Sequence, residues 1–312
     1  MGIFDRISES VKKNVNTQPD SSDMSFRNSE EKGSGKIISV INQKGGVGKT
    51  SLCFNLAHAL AQKNNKVLLI DFDPQFNLST VVLNDLPNED EQVFQLLINS
   101  VKQLKTLHSP TMLSEAIKSI NPFIDIISGG QMLSGFELTV GGINSVRQTI
   151  LKKFFEHHQL KGMYDYILID GPPTLGLLVV NILCASDGVI IPFIPDAFCQ
   201  TGIRNLETVI NDIDEMGLGC TPEILGLIPN LFDKRRKFAR NELENIKKEL
   251  NNFTFFPEIE NKVDLFKAMG EKRSVFSFKS KEYNDIKNKF SHIADYLLEK
   301  YKYEKEKPSL HS

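Results

Sequence analysis

The chain has 312 residues, 40% hydrophobic and 24% charged, a balance that suits one large globular domain and argues against wholesale disorder. Thirty-seven Lys and Arg against 39 Asp and Glu leave a formal net charge of −2, which excludes a globally basic, histone-like nucleic-acid binder but not a local basic patch. No apolar run approaches the roughly 20 residues that span a bilayer, and the opening MGIFDRISESVKK lacks the apolar segment and small-residue cleavage site of a secretory signal.

Residues 1–35 read as an N-terminal extension. Ile3, Phe4, Ile7 and Val11 fall on one face at helical spacing with Lys12 and Lys13 behind them, a short amphipathic segment that suits a membrane surface or a partner. From Asn14 to about Gly35 the chain is polar and Ser/Asn-rich, as a flexible linker is. At Lys36 the pattern changes. Near-continuous apolar runs at Ile37–Asn42, Val67–Asp71, Phe123–Ser128, Tyr166–Asp170, Gly188–Phe193 and Ile224–Pro229 predict strands covered on both faces, as in parallel sheets. Helical stretches alternate with them, for example Lys49–Gln62, Val146–His157 and Thr201–Glu215, and Ile286, Phe290, Ile293 and Leu297 predict a closing helix over Tyr283–Tyr303. The pattern predicts an α/β domain over 36–303, a doubly wound, mostly parallel sheet flanked by helices, followed by a polar tail at 304–312. Cys53, Cys184, Cys199 and Cys220 contain no C-x-x-C pair, so reduced, mostly buried thiols are expected rather than a metal cluster or a disulfide framework.

The first strand runs into Gln43-Lys44-Gly45-Gly46-Val47-Gly48-Lys49-Thr50-Ser51, and a helix follows. Glycines let the backbone wrap so that successive N–H groups point at one anion, and the helix N-terminus adds its dipole. In such a phosphate loop Lys49 reaches the terminal phosphates and the Thr50 hydroxyl binds Mg²⁺. The loop departs from the usual pattern, with Gln43 at the first glycine position and a second lysine, Lys44, directly after it.

KGGVGKT resembles the deviant Walker A loop of the ParA/MinD family of dimeric P-loop ATPases. The resemblance implies that Lys44 crosses a face-to-face dimer interface to phosphates held by the other subunit. VLLIDFDPQFNLST, Val67–Thr80, is similar to the LLIDxDPQ segment of the ParA branch, and implies that Asp73 positions the attacking water while Asp71 belongs to the network around Mg²⁺. Water must be held in line with the scissile bond while metal and lysines absorb phosphate charge, so a carboxylate is chemically apt there. YDYILIDGPP, Tyr164–Pro173, resembles the Walker B element: Asp170 holds Mg²⁺ through water, and Gly171 is the phosphate-sensing glycine. DGVIIPFIP, Asp187–Pro195, is similar to a family strand whose proline lies near nucleotide and interface. ILGLIPNLFD, Ile224–Asp233, resembles the strand end that frames the adenine, with Asn230 against the base. Together the nucleotide-contacting set is Gly45, Gly46, Val47, Gly48, Lys49, Thr50, Ser51, Gly171 and Asn230. The metal set is Thr50, Asp71 and Asp170, and the catalytic set Lys44, Lys49, Asp71 and Asp73. The resemblance covers roughly Lys36 to Tyr301, with two departures: Phe76 replaces a usual glycine and Ser51 a common second threonine.

The function implied is a Mg–ATP-dependent, dimerising ATPase that positions a plasmid, a chromosomal origin or a protein assembly. The ATP dimer of that branch binds DNA without sequence preference, and an adaptor protein stimulates hydrolysis; the setting is cytoplasmic and nucleoid-associated. Two basic groups serve that reading, Lys234–Lys237 with Arg240, and Lys272, Arg273, Lys279 and Lys281, with Arg235, Arg236, Lys279 and Lys281 expected on DNA phosphates. The alternative is a MinD-like, membrane-associated regulator using residues 1–15; its usual C-terminal anchor is not matched by the polar YKYEKEKPSLHS tail. Iron–sulfur relatives of the same loop require paired cysteines or a C-x-x-C, which this chain lacks.

Overall fold

A computed structural model describes residues 35–101, 112–143, 146–260 and 263–306, so the amphipathic segment at 1–15, the linker and the tail beyond 306 lie outside the described residues. In chain order the elements are β1 (Lys36–Val40), α1 (Lys49–Ala61), β2 (Val67–Asp71), α2 (Asn77–Val82), α3 (Val93–Ser100), α4 (Leu113–Ala116), β3 (Ile117–Asn121), β4 (Ile124–Ile127), α5 (Phe136–Thr139), α6 (Ile150–His157) and α7 (Leu160–Met163). They continue as β5 (Tyr166–Asp170), α8 (Leu177–Ala185), β6 (Gly188–Phe193), α9 (Cys199–Glu215), β7 (Glu223–Phe232), α10 (Lys237–Glu249), β8 (Ile259–Glu260), α11 (Val263–Gly270) and α12 (Asn284–Glu306).

The strands form one sheet in the order β3-β4-β2-β5-β1-β6-β7-β8, parallel throughout except for the antiparallel β3–β4 edge. Six of the eight strands are those the apolar runs predict. Their continuous hydrophobicity has a simple cause. Within β1, Ile38 and Val40 enter one apolar layer while Ile37, with Ile41 just beyond, enters the other; in β2, Val67 and Leu69 oppose Leu68 and Ile70 in the same way. Both faces of these central strands are therefore roofed by helices, and their interior positions go largely to apolar burial. Each fully buried Ile or Leu stabilises the fold by about 1.5–3 kcal/mol relative to exposure. The closing helix α12 buries Ile286, Phe290, Ile293 and Leu297 in the layer that also holds Leu52, Leu56 and Leu60 of α1.

Three details differ from the sequence pattern. Helix α6 starts at Ile150, behind a 3₁₀ turn at Arg147–Thr149, instead of at Val146. Asn181 of α8 stops it there: its Oδ1 accepts from Leu151 N at 3.2 Å and its Nδ2 donates to Arg147 O at 2.8 Å, satisfying end groups the helix leaves open. Strand β3, IKSIN, is an edge strand of half-buried and exposed residues without the apolar run of a central strand. Strand β8 is two residues long, below what periodicity can register.

The chain begins the sheet at β1, places β2 to one side with β5 between them, and then crosses to β6 on the other. The strand order thus reverses at β1. In open parallel sheets, ligands bind outside the carboxyl ends of strands at such a reversal, and the loop after β1 emerges there.

Candidate phosphate and metal site

Asn42 anchors the loop as it leaves β1. Its Nδ2 donates to Pro192 O of β6 at 2.7 Å, and its Oδ1 accepts from Lys44 N at 2.8 Å. Gly46 and Gly48 have φ of 75° and 87°, the left-handed region that glycine enters without strain. At Gly48 the requirement is also steric, since a Cβ would stand 2.2 Å from Asn230 Nδ2. Helix α1 starts at once, with Leu52 N donating to Gly48 O at 2.9 Å. Residues 44–46 are exposed at the tip, while Val47 and Lys49 are buried.

The two loop lysines have separate surroundings. Lys49 is 7% exposed and its Nζ donates to Lys44 O at 3.3 Å. Burial lowers its pKa, and the nearby Asp170 and Asp73 charges oppose that shift. Lys44 Nζ instead forms an ion pair with Asp196, in the turn after β6.

Three carboxylates converge on the carboxyl edge of β2 and β5. Asp71 is fully buried; its Oδ2 accepts from Ser79 N at 2.8 Å and Ser79 Oγ at 2.7 Å, and its Oδ1 from Asp73 N at 3.2 Å. Gly129 completes this corner, donating its N–H to Ser79 Oγ at 3.0 Å so closely that a Cβ would sit 2.9 Å from Asp71 O. Burial pushes the Asp71 carboxyl up to about 6 against the pull of the Ser79 bonds. Asp170 accepts from Thr50 Oγ1 at 2.7 Å, and its pKa stands well above the carboxylate range, first through burial and then through the Asp71 charge. Asp73 is 7% exposed and accepts from Gln75 N at 2.9 Å through Oδ1. Gly171 brings its backbone against β1, its N–H on Val40 O at 3.2 Å.

The residues present fit a magnesium nucleotide. Asp170 Oδ1 and Ser51 Oγ are buried without a hydrogen-bond partner, polar atoms whose cost a ligand would remove. Three buried carboxylates around one buried lysine leave a surplus of negative charge, the condition a divalent cation relieves. No group of three or more His, Cys, Asp or Glu with metal-holding geometry occurs among the described residues. A cation here would draw on the Thr50 hydroxyl, Asp170, water and phosphate, as Mg²⁺ usually does.

The remaining candidates fall as follows. Asn230 is 2% exposed beneath the loop, where its Nδ2 donates to Val47 O at 2.7 Å and its Oδ1 accepts from Leu231 N at 2.9 Å. Arg235 and Arg236 are exposed at the start of α10 and share Asp233, Arg235 through Nε at 3.0 Å and Arg236 through Nε at 3.5 Å. Lys279 and Lys281 are exposed ahead of α12. Glu260 joins these regions, accepting from Lys234 at 2.8 Å and from Lys289 of α12 at 3.5 Å. Asn42, Gly129 and Asp196 belong to the site without a role read from sequence, and Ser79, although inside the Val67–Thr80 segment, is identified only by its bonds to Asp71.

An AAA domain family model matches residues 35–219. The sporulation initiation inhibitor protein Soj of Bacillus subtilis is 30% identical over 244 residues, 78% of this chain and 91% of that protein. The ATP complex of a Cyanothece McdA variant superposes with a TM-score of 0.72 at 21% identity, over 85% of this chain and 96% of that one. Cobyrinic acid a,c-diamide synthase from Mycobacterium smegmatis, with bound ATP analog and magnesium, superposes with a TM-score of 0.67 at 25% identity, over 86% and 96%.

Proposed function

This chain belongs to the ParA/MinD family of ATPases, in its Soj-like branch, and from that membership we propose that it is a dimerising switch for DNA segregation or cargo positioning. It binds ATP with Mg²⁺, pairs with a second copy, holds DNA without sequence preference, and is reset when an adaptor protein stimulates hydrolysis. The observation that carries the reading is the separation of the two loop lysines. Lys49 is buried beside the carboxylates, whereas the Lys44 side chain is 47% exposed at the loop tip and tied only to Asp196 among the contacts described for its ammonium. One buried lysine serves a phosphate cradle within one chain; an exposed second one is suited to phosphates held by another.

In this reading the loop amides and Lys49 bind the phosphates, and the Ser51 hydroxyl gains a partner. Mg²⁺ would be held by Thr50 and, through water, by Asp170, and it supplies charge neutralisation at the phosphates. Asp71, fixed by Ser79, orients the backbone at Asp73 through its bond to Asp73 N. Asp73 has Oδ1 engaged by Gln75 and Oδ2 available to hold the attacking water. For DNA, the support is that Glu260 ties the segment carrying Arg235 and Arg236 to the helix that follows Lys279 and Lys281, so the two basic groups belong to one region.

The test is light scattering after size exclusion with Mg–ATP or Mg–ADP. The wild type should dimerise with ATP alone. Lys49→Ala should lose nucleotide binding, Lys44→Ala should bind ATP as a monomer, and Asp73→Ala should bind ATP, persist as a dimer and hydrolyse at least about 100-fold more slowly. A Lys44→Ala protein that dimerised with ATP as the wild type does would end this reading.

A further inference from the structure

Away from the phosphate loop, a cavity of about 570 Å³ opens at the amino ends of the central strands. Its lining includes Ile37 and Asp187, at the amino ends of β1 and β6, together with Lys152, Cys184, Gly219 and Cys220. Helix α8 delivers Cys184 there, one residue before its end. The turn after α9 returns Cys220 to the same place through Gly217 and Gly219, whose φ values of 64° and 63° a residue with a side chain would rarely adopt. Both thiols line this one cavity, where Cys220 acts on the electrostatics of Cys184. Cys184 is 2% exposed while Cys220 is half-buried at the cavity, and Lys152 Nζ is fixed beside them on Gly219 O at 2.9 Å. Cys53 and Cys199 are buried elsewhere and line no part of this cavity.

We propose that Cys184 and Cys220 are an oxidisable dithiol, a modification site that reacts with small disulfides entering this cavity. The positions assign the order of events. Cys184 is buried while Cys220 reaches the cavity surface, and burial raises the Cys184 thiol pKa, so the outer sulfur acts first. The Cys220 thiolate attacks one sulfur of the small disulfide, forming a mixed disulfide and expelling one thiolate, which takes a proton from water. Cys184, losing its proton to solvent with the Lys152 ammonium nearby, then attacks Cys220 sulfur and expels the second thiol. The balance is one protein dithiol plus one small disulfide giving one protein disulfide plus two small thiols: two electrons leave the protein and reduce the reagent. The product ties the end of α8 to the α9–β7 turn.

The probe is glutathione disulfide applied to the folded full chain. Free thiols should fall from four to two, the intact mass should drop by two hydrogens, and a peptide map should link Cys184 to Cys220. Cys184→Ser should stop at one glutathionyl adduct on Cys220, and a Cys53→Ser/Cys199→Ser protein should still form the internal bond. Retention of all four thiols, a wild-type protein that stops at the mixed disulfide, or a linked peptide containing Cys53 or Cys199 would each overturn the proposal. None of these outcomes depends on the ATPase reading.

Discussion

Lys44 and Asp196, 152 residues apart in the chain, are ion-paired at the mouth of the phosphate loop. The pair occupies the ammonium that the dimer would need. It is partly exposed on both sides, 47% for Lys44 and 31% for Asp196, and pairs of that kind contribute only about 0.2–1 kcal/mol. So weak a contact holds the lysine in place without fixing it there, and Asp196→Asn should release it. Each copy contributes one such pair, so the ATP-dependent dimer of that variant should be tighter by up to about 30-fold, read by sedimentation at several protein concentrations. A looser dimer would mean that Asp196 works within the dimer instead of against it.

Asn230 gives a test of how the loop is held. Its buried amide donates to Val47 O, and Asn230→Asp would set a carboxylate oxygen against that carbonyl. Losing such a buried bond costs about 1–3 kcal/mol, roughly 5- to 150-fold in phosphate affinity. As a brace, the substitution should weaken ATP and GTP equally in fluorescent-nucleotide titrations. A loss confined to ATP would return Asn230 to the adenine.

Much of this site is legible in the sequence, for a physical reason. Asp71 and Asp170 end apolar strands, and the loop and Asp73 come just after one, so local pattern and chemistry coincide at the strand ends. Phe76 is legible as a departure, and the structure shows its strain: the residue keeps φ 43° and ψ 38°, a left-handed geometry that costs a side chain about 1–2 kcal/mol. Ser79 lies within the quoted Val67–Thr80 segment, but its bonds to Asp71 are not legible, and neither is Gly129 beyond β4, because only folding brings both to Asp71. The same holds for β3, whose IKSIN sequence lacks the apolar run of a central strand because the sheet ends there.

His58 of α1 sets a pH dependence away from the site. Burial, with Phe54 edge-on at 4.9 Å between ring centroids, pushes its imidazole down to about 4. The unfolded chain titrates this group near 6.5 and binds the proton more tightly. The stabilisation is therefore complete above about pH 6.5 and is lost as pH falls towards 4, up to about 3 kcal/mol in all. Urea unfolding at pH 7 and pH 4.5 should show a steeper loss for the wild type than for His58→Gln. Comparing the two proteins cancels the opposite contribution of Asp71, which gains stability as it protonates. Equal slopes would show that the ring is solvated.

Replacing Arg235 and Arg236 with Glu should reverse charge at two exposed positions without touching the nucleotide. ATP-driven dimerisation should survive, while binding to random-sequence duplex weakens on every sequence and its salt dependence flattens. Mobility shifts at several salt concentrations, with ATP and with ADP, make the measurement. Equal retention in both nucleotides, or none at low salt, would remove DNA from the reading.

The bond from Asn230 to Val47 O spans 183 residues, and it places a condition on when the protein becomes competent. A ribosome delivers the phosphate loop early but β7 late, on the order of ten seconds or more afterwards at about 5–20 residues per second. Until β7 docks, Gly48 has no neighbour to close against and the loop has no floor. Nucleotide capture should therefore come late in folding, and a chain cut before β7 should bind ATP far more weakly than the full chain in fluorescent-nucleotide titration. Binding of ATP would then report that the sheet has been completed, and in the proposed switch it would keep unfinished chains out of the dimer.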